Sequence, residues 1–75
     1  MKRFKINLSR AKRCAKTLRR YGTDDTDPGC LTDFLADARH WCDQHGHSFG
    51  DLDRIAHDHY LAELNDQQTE ERKLP

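Results

Sequence analysis

Valine is absent from this 75-residue chain, and isoleucine occurs only as Ile6 and Ile55. The five threonines are the remaining β-branched residues, mostly in turn-like surroundings. A chain so poor in β-branched residues has little with which to fill a pleated sheet, and the composition favours helix. Apolar residues are scarce altogether. Counted with Gly and without Tyr they make 28 of 75, about 37% against the roughly 45–50% of ordinary domains. At this length a core contributes only about 3–5 kcal/mol net, so one domain is expected. No apolar run approaches the roughly 20 residues of a membrane span. None follows the charged opening residues either, so no secretory leader is expected. Cys14, Cys30 and Cys42 form an odd set without framework spacing, which points to a reducing, cytoplasmic setting and against disulfides. The chain also lacks a Gly-rich phosphate loop, an H-E-x-x-H run and a nucleophile elbow. No enzyme and no cofactor is therefore expected. Cys30 sits in a first helical turn that would favour a thiolate, but nearby aspartates oppose it.

Acid is missing from one region. Residues 1–22 hold nine cations, Lys2, Arg3, Lys5, Arg10, Lys12, Arg13, Lys16, Arg19 and Arg20, and no Asp or Glu. Residues 23–75 hold four cations and thirteen carboxylates, so a segment of +9 is followed by one of −9. The formal net charge of zero hides this segregation, which is a hint of a polyanionic partner. Phosphate contacts from such a row release counterions and give salt-sensitive affinity. No aromatic residue interleaves the cations from Arg10 to Arg20, so backbone contact is expected rather than reading of bases. The competing reading is intramolecular. The basic helix would then fold back on the acidic surface, pairing with Asp37, Asp51 or Asp53.

The elements read as helices. Residues 1–8 alternate Phe4, Ile6 and Leu8 with polar neighbours and suggest an extended basic arm. Ser9 reads as an N-cap, followed by Ala11, Cys14, Ala15, Leu18 and Tyr21 at helical spacing, with Gly22 as the stop. Residues 23–29 form a turn-rich linker in which Asp27 caps a helix and Pro28 opens it. Leu31, Phe34, Leu35, Ala38, Trp41 and Cys42 make the apolar stripe of that helix, which spans 28–46. Ser48 and Asp51 suggest a capping pair for a third helix over 48–64. Its buried face would hold Leu52, Ile55, Ala56 and Tyr60, with His59 in its middle. Residues 65–75 read as a frayed helix end or disordered tail. The fold expected is thus all-α: a small three-helix bundle over 1–64, with an extended N-terminal arm. Its second and third helices would form an antiparallel hairpin supplying most of the core. Phe34, Trp41, Ile55 and Tyr60 are read as core rather than interface.

Two further clusters carry possible chemistry. Asp33, Asp37, Asp43, Asp51, Asp53 and Asp58 form an acidic surface able to compete with nucleic acid for a basic groove, or else an ordinary solvated face. Cys42, His45, His47 and His57 flank one interhelix turn and are a zinc set by residue type. Their spacing fits no established finger, and an H-x-H pair on a helix points to different faces. His59 reads instead as a buried ring against Trp41 or Tyr60, and His45 as a C-terminal dipole partner.

The stretch "NLSRAKRCAKTLRR" resembles a basic N-terminal helix of small bacterial and plasmid-borne proteins. The stretch running from Leu31, Asp33, Phe34, Leu35 and Asp37 through Trp41 and Cys42 to His59, Tyr60 and Glu63 resembles short phage and mobile-element accessory proteins. That resemblance implies a binding protein that acts on host nucleic-acid machinery, including as an inhibitor of defence systems such as CRISPR effectors. The partner expected is a host protein or ribonucleoprotein complex, with no membrane. Alternative readings are a direct DNA- or RNA-binding regulator using the basic helix, and a small zinc-stabilised module. The oligomeric state stays open.

Overall fold

A computed structural model describes residues 2–72, with side chains described for residues 5–68. The protein is a small all-α bundle of three helices: α1 Lys2–Tyr21, α2 Asp27–His45 and α3 Phe49–Arg72. There is no strand among the described residues. No helix among them is long and apolar enough to cross a membrane.

The arm expected over residues 1–8 is not extended. From Lys2 onward it is the first two turns of α1, and Ser9 lies inside the helix rather than capping it. Phe4 and Leu8, read as alternating, are equally spaced i, i+4 for a helix. The tie to α3 favours the helical choice. The Asn7 amide donates to the Glu63 carbonyl at 3.2 Å and to Gln67 Oε1 at 2.8 Å, and Arg10 Nε stands 3.7 Å from Glu63 Oε2.

The cap of α2 is Thr26, one residue before the expected Asp27. Its Oγ1 accepts from the Gly29 N–H at 3.0 Å. The Asp24 carboxylate in turn accepts from the Thr26 N–H at 3.0 Å and its hydroxyl at 2.9 Å. This seat requires a glycine at 29, since a Cβ there would stand 2.0 Å from Asp24 Oδ2. At the far end Gly46 turns left-handed at φ 72°, and the His47 N–H reaches back to the Cys42 carbonyl at 2.9 Å. That six-to-one closure satisfies an orphan carbonyl of the last turn. Ser48 Oγ accepts from the Asp51 N–H at 3.2 Å and so caps α3. Helix α3 then passes residue 64 without a break. Of the two readings of 65–75, the backbone takes the helical one through Arg72. Residues 73–75 and Met1 lie outside the described residues.

The hairpin expectation needs correction. Helix α1 packs on both α2 and α3, whereas α2 and α3 touch each other least. The buried side chains among the described residues are only Leu18 (8% exposed), Cys30 (3%) and Cys42 (3%). Phe34, Trp41, Ile55 and Tyr60, expected in the core, are 38–56% exposed. The reason is the splay of α2 from α3, which leaves their apolar stripes facing an opening instead of each other. Cys14, on the expected apolar stripe of α1, is exposed as well. The molecule measures 49 × 29 × 14 Å with a radius of gyration of 15.4 Å. A compact chain of this length would have about 11 Å. The shortest dimension is less than a third of the longest.

Candidate nucleic-acid interface

The basic residues are distributed by the 100° step of α1. Lys5, Lys12, Arg13, Lys16, Arg19 and Arg20 fall within an arc of about 120°, opposite the side that carries Leu18. All six are exposed. Among the described residues none pairs with a carboxylate, and Asp37, Asp51 and Asp53 make no bond to any of them. The arc runs from Lys5 to Arg20, about 22 Å of helix. Lys5, Ser9 and Arg13 follow one another at i, i+4 along it. With Ile6 and Arg10 they line a shallow depression of about 350 Å³.

Arg10 does not belong to this row. It lies on the flank facing α3, where it donates to Asn7 Oδ1 and pairs with Glu63. The side chains of Lys2 and Arg3, also read as polyanion-binding, lie outside the described residues. The sequence reading missed the Asn7–Arg10–Glu63–Gln67 cluster. No local signal could have found it, because its α1 and α3 members are 53 to 60 positions apart.

The acidic side chains have other engagements. Asp37 accepts a hydrogen bond from the Tyr21 hydroxyl, and this bond holds the phenol above its ordinary 10.0. Asp51 stands 3.5 Å from Arg54 one turn along its own helix. Asp33 is half-buried, while Asp43, Asp53 and Asp58 are exposed. Asp24 is held below its ordinary 3.8, first by the backbone N–H of Thr26.

Cys42, His45, His47 and His57 are not brought together. Among the described residues no three His, Cys, Asp or Glu side chains converge on a point. His45 and His47 instead stack on Trp41, with centroids 4.4 and 5.6 Å away, and His45 Nδ1 lies 2.9 Å from the Trp41 carbonyl. His57 approaches Tyr60 at 6.3 Å, and His59, expected to be buried, is exposed. Cys30 is buried, and its thiol donates to the Asp24 carbonyl at 3.3 Å.

A second concavity was not expected. Between the end of α1, α2 and the start of α3 lies an open apolar groove of about 640 Å³. Phe34, Leu35 and Trp41 line one wall, Phe49, Leu52 and Ala56 the other, and Tyr21 closes an end. The rings of Tyr21 and Phe34 meet edge to face at 5.3 Å, and the Arg39 guanidinium lies 4.0 Å over the Phe49 ring. Periodicity had marked most of these residues as apolar-face positions, but it carries no information on whether a face is covered. The chain matches no protein-family model, no curated protein and no solved structure.

Proposed function

We propose that the protein is a non-enzymatic helical binding protein that engages the phosphate backbone of a nucleic acid through the exposed face of α1. The observation that carries this is the row of Lys5, Lys12, Arg13, Lys16, Arg19 and Arg20, exposed together and paired with no carboxylate among the described residues. Lys16 stands i±3 or i±4 from Lys12, Arg13, Arg19 and Arg20. Like charges at those spacings cost about 0.2–0.5 kcal/mol each on a helix. A bound phosphate backbone turns that self-repulsion into attraction and releases counterions. The face carries no aromatic ring on which a base could stack, so contact with the backbone rather than with stacked bases is expected. The resemblance to mobile-element accessory proteins supports a host nucleic-acid-handling complex, such as a defence effector, as the setting in which the backbone is met.

The test is anisotropy of a labelled duplex titrated with the full chain. Binding at about 50 mM salt that weakens by about 10³-fold at 200 mM is expected if most of the six cations meet phosphates. No binding at the lower salt removes the proposal.

A further inference from the structure

We infer that the apolar groove between α2 and α3 is a docking site for a basic amphipathic helix of a partner protein, its apolar stripe seated between the walls and its lysines or arginines meeting Asp37 and Asp53. The walls have the spacing such a helix needs. Phe34, Ala38 and Trp41 stand at i, i+4 and i+7 on α2, and Phe49, Leu52 and Ala56 at i, i+3 and i+7 on α3. Rows of that kind are ridges against which the side-chain ridges of another helix pack. Each row covers about 10 Å of helix, which matches anchors at i, i+3 or i+4 and i+7 on the occupant. An extended peptide finds no comparable seat. Among the described residues there is no strand whose edge could take up its backbone donors.

Charge selects among helices. Asp37 lines the α2 wall and Asp53 the α3 wall, and both are exposed. Among the described residues Asp53 meets no cation, and Asp37 meets only the Tyr21 hydroxyl. The Tyr21 phenol is raised first by that hydrogen bond, and the charges of Asp37 and Asp33 add to the effect, so this end of the groove is negative. Two cations stand between Leu31 and Ala56. Arg54 is turned to Asp51, and Arg39 lies over the Phe49 ring. The chain's own basic row does not occupy the site, since none of its six cations bonds to Asp37 or Asp53 among the described residues.

A wholly apolar occupant would strip water from both carboxylates and leave them without partners. A second copy related by a two-fold axis would set Asp37 and Asp53 against themselves. A helix whose apolar stripe is flanked by cations replaces the lost water with charge-assisted hydrogen bonds. Trp41, 52% exposed and the largest side chain of the walls, is the anchor such a stripe would cover. Tyr21, the part of α1 that reaches the groove, lies at least about 80° around that helix from the basic row. The two surfaces are therefore separate, and the inference does not rest on the proposed function.

The probe is a synthetic helix of about 14 residues made of leucine and lysine, with leucine at i, i+3, i+4 and i+7 and no tryptophan. Trp41 is the single tryptophan of the chain, so its emission reports the groove. Titrating the full chain with the probe should shift the emission to the blue and saturate at one probe per chain. Two control peptides should each bind at least about tenfold more weakly. One carries glutamate in place of lysine, and the other scatters the same leucines around the helix. Asp37→Asn and Asp53→Asn together should weaken the leucine–lysine probe by about 2- to 30-fold, the range for two exposed ion pairs, and flatten its salt dependence. Leu52→Lys should abolish the shift. No shift with the leucine–lysine probe overturns the inference. So does equal binding of either control peptide, or an affinity untouched by loss of the two carboxylates. A chain that sediments alone as a dimer, with Trp41 emission already blue and unmoved by the probe, assigns the groove to a second copy and overturns it too. If Leu52→Lys does not fold, the Asp37→Asn, Asp53→Asn chain, altered only at exposed positions, decides the matter.

Discussion

Leu18 is the only large aliphatic side chain buried among the described residues, at 8% exposure. Leu18→Ala removes nearly its whole contact with the rest of the bundle. Leu→Ala at such sites costs about 2–5 kcal/mol, the transfer term plus the cavity left behind. The total available to a chain of this size is about 3–5 kcal/mol. Taking about 3 kcal/mol for the substitution, the folding constant falls by more than 100-fold. The melting temperature falls by about 12–24 °C, at about 4–8 °C per kcal/mol. Far-ultraviolet circular dichroism against temperature, at one fixed protein concentration, measures this. Leu61→Ala is the matched control, since Leu61 is 47% exposed on α3. It should cost less than about 1 kcal/mol. A fall of less than about 4 °C for Leu18→Ala would refute the reasoning. So would a fall no larger than that for Leu61→Ala. Either result would mean that the seam around Leu18 is not what holds the helices together.

Other consequences concern single groups. Arg19→Ala and Lys16→Ala should each reduce the salt dependence of duplex binding by about one unit of slope, while Arg10→Ala, already engaged by Glu63, should leave the slope unchanged. Equal loss from Arg10 and Arg19 would show that the row was wrongly drawn. Tyr21 has its phenol raised above 10.0 by its bond to Asp37, so it contributes stability below pH 10 that is lost as pH rises through the folded value. Tyr21→Phe should therefore narrow its stability deficit between pH 9 and 11, and a deficit constant over that range would exclude the linkage. Gly29→Ala should destabilise the chain by displacing the Asp24 carboxylate from Thr26. In an Asp24→Gly background, which also removes the Asp24 Cβ that would stand 2.9 Å away, the same change should stabilise it, because alanine is the better helix former. Urea titration of the four proteins checks the reversal, and a gain in both backgrounds would break the account of this turn.

Both ends of α2 and the start of α3 were legible because the signals that set them are local. Pro28, Gly46 and Ser48 act through hydrogen bonds and backbone angles spanning a few residues, and the boundaries fall within a residue or two of the expected ones. The start of α1 was not legible in the same way. Phe4, Ile6 and Leu8 fit two periods, and the contact that favours the helix comes from Glu63 and Gln67, far along the chain. The candidate binding row was partly legible. Its charges could be counted, but Arg10 could be separated from Arg19 only by finding which of them met a carboxylate.

By itself, then, the sequence determined an all-α chain, its three helices, and the division of charge into a basic and an acidic segment. Each of those follows from composition or from neighbours within one helical turn. Only the tertiary structure decided that α1 bridges the other two helices, that six cations face outward with no carboxylate partner among the described residues, and that Phe34, Trp41, Ile55 and Tyr60 remain uncovered. A 3.6-residue period identifies the apolar face of a helix. Whether another helix covers that face depends on the angles at which the turns release the helices, and those angles are settled by packing across the whole chain.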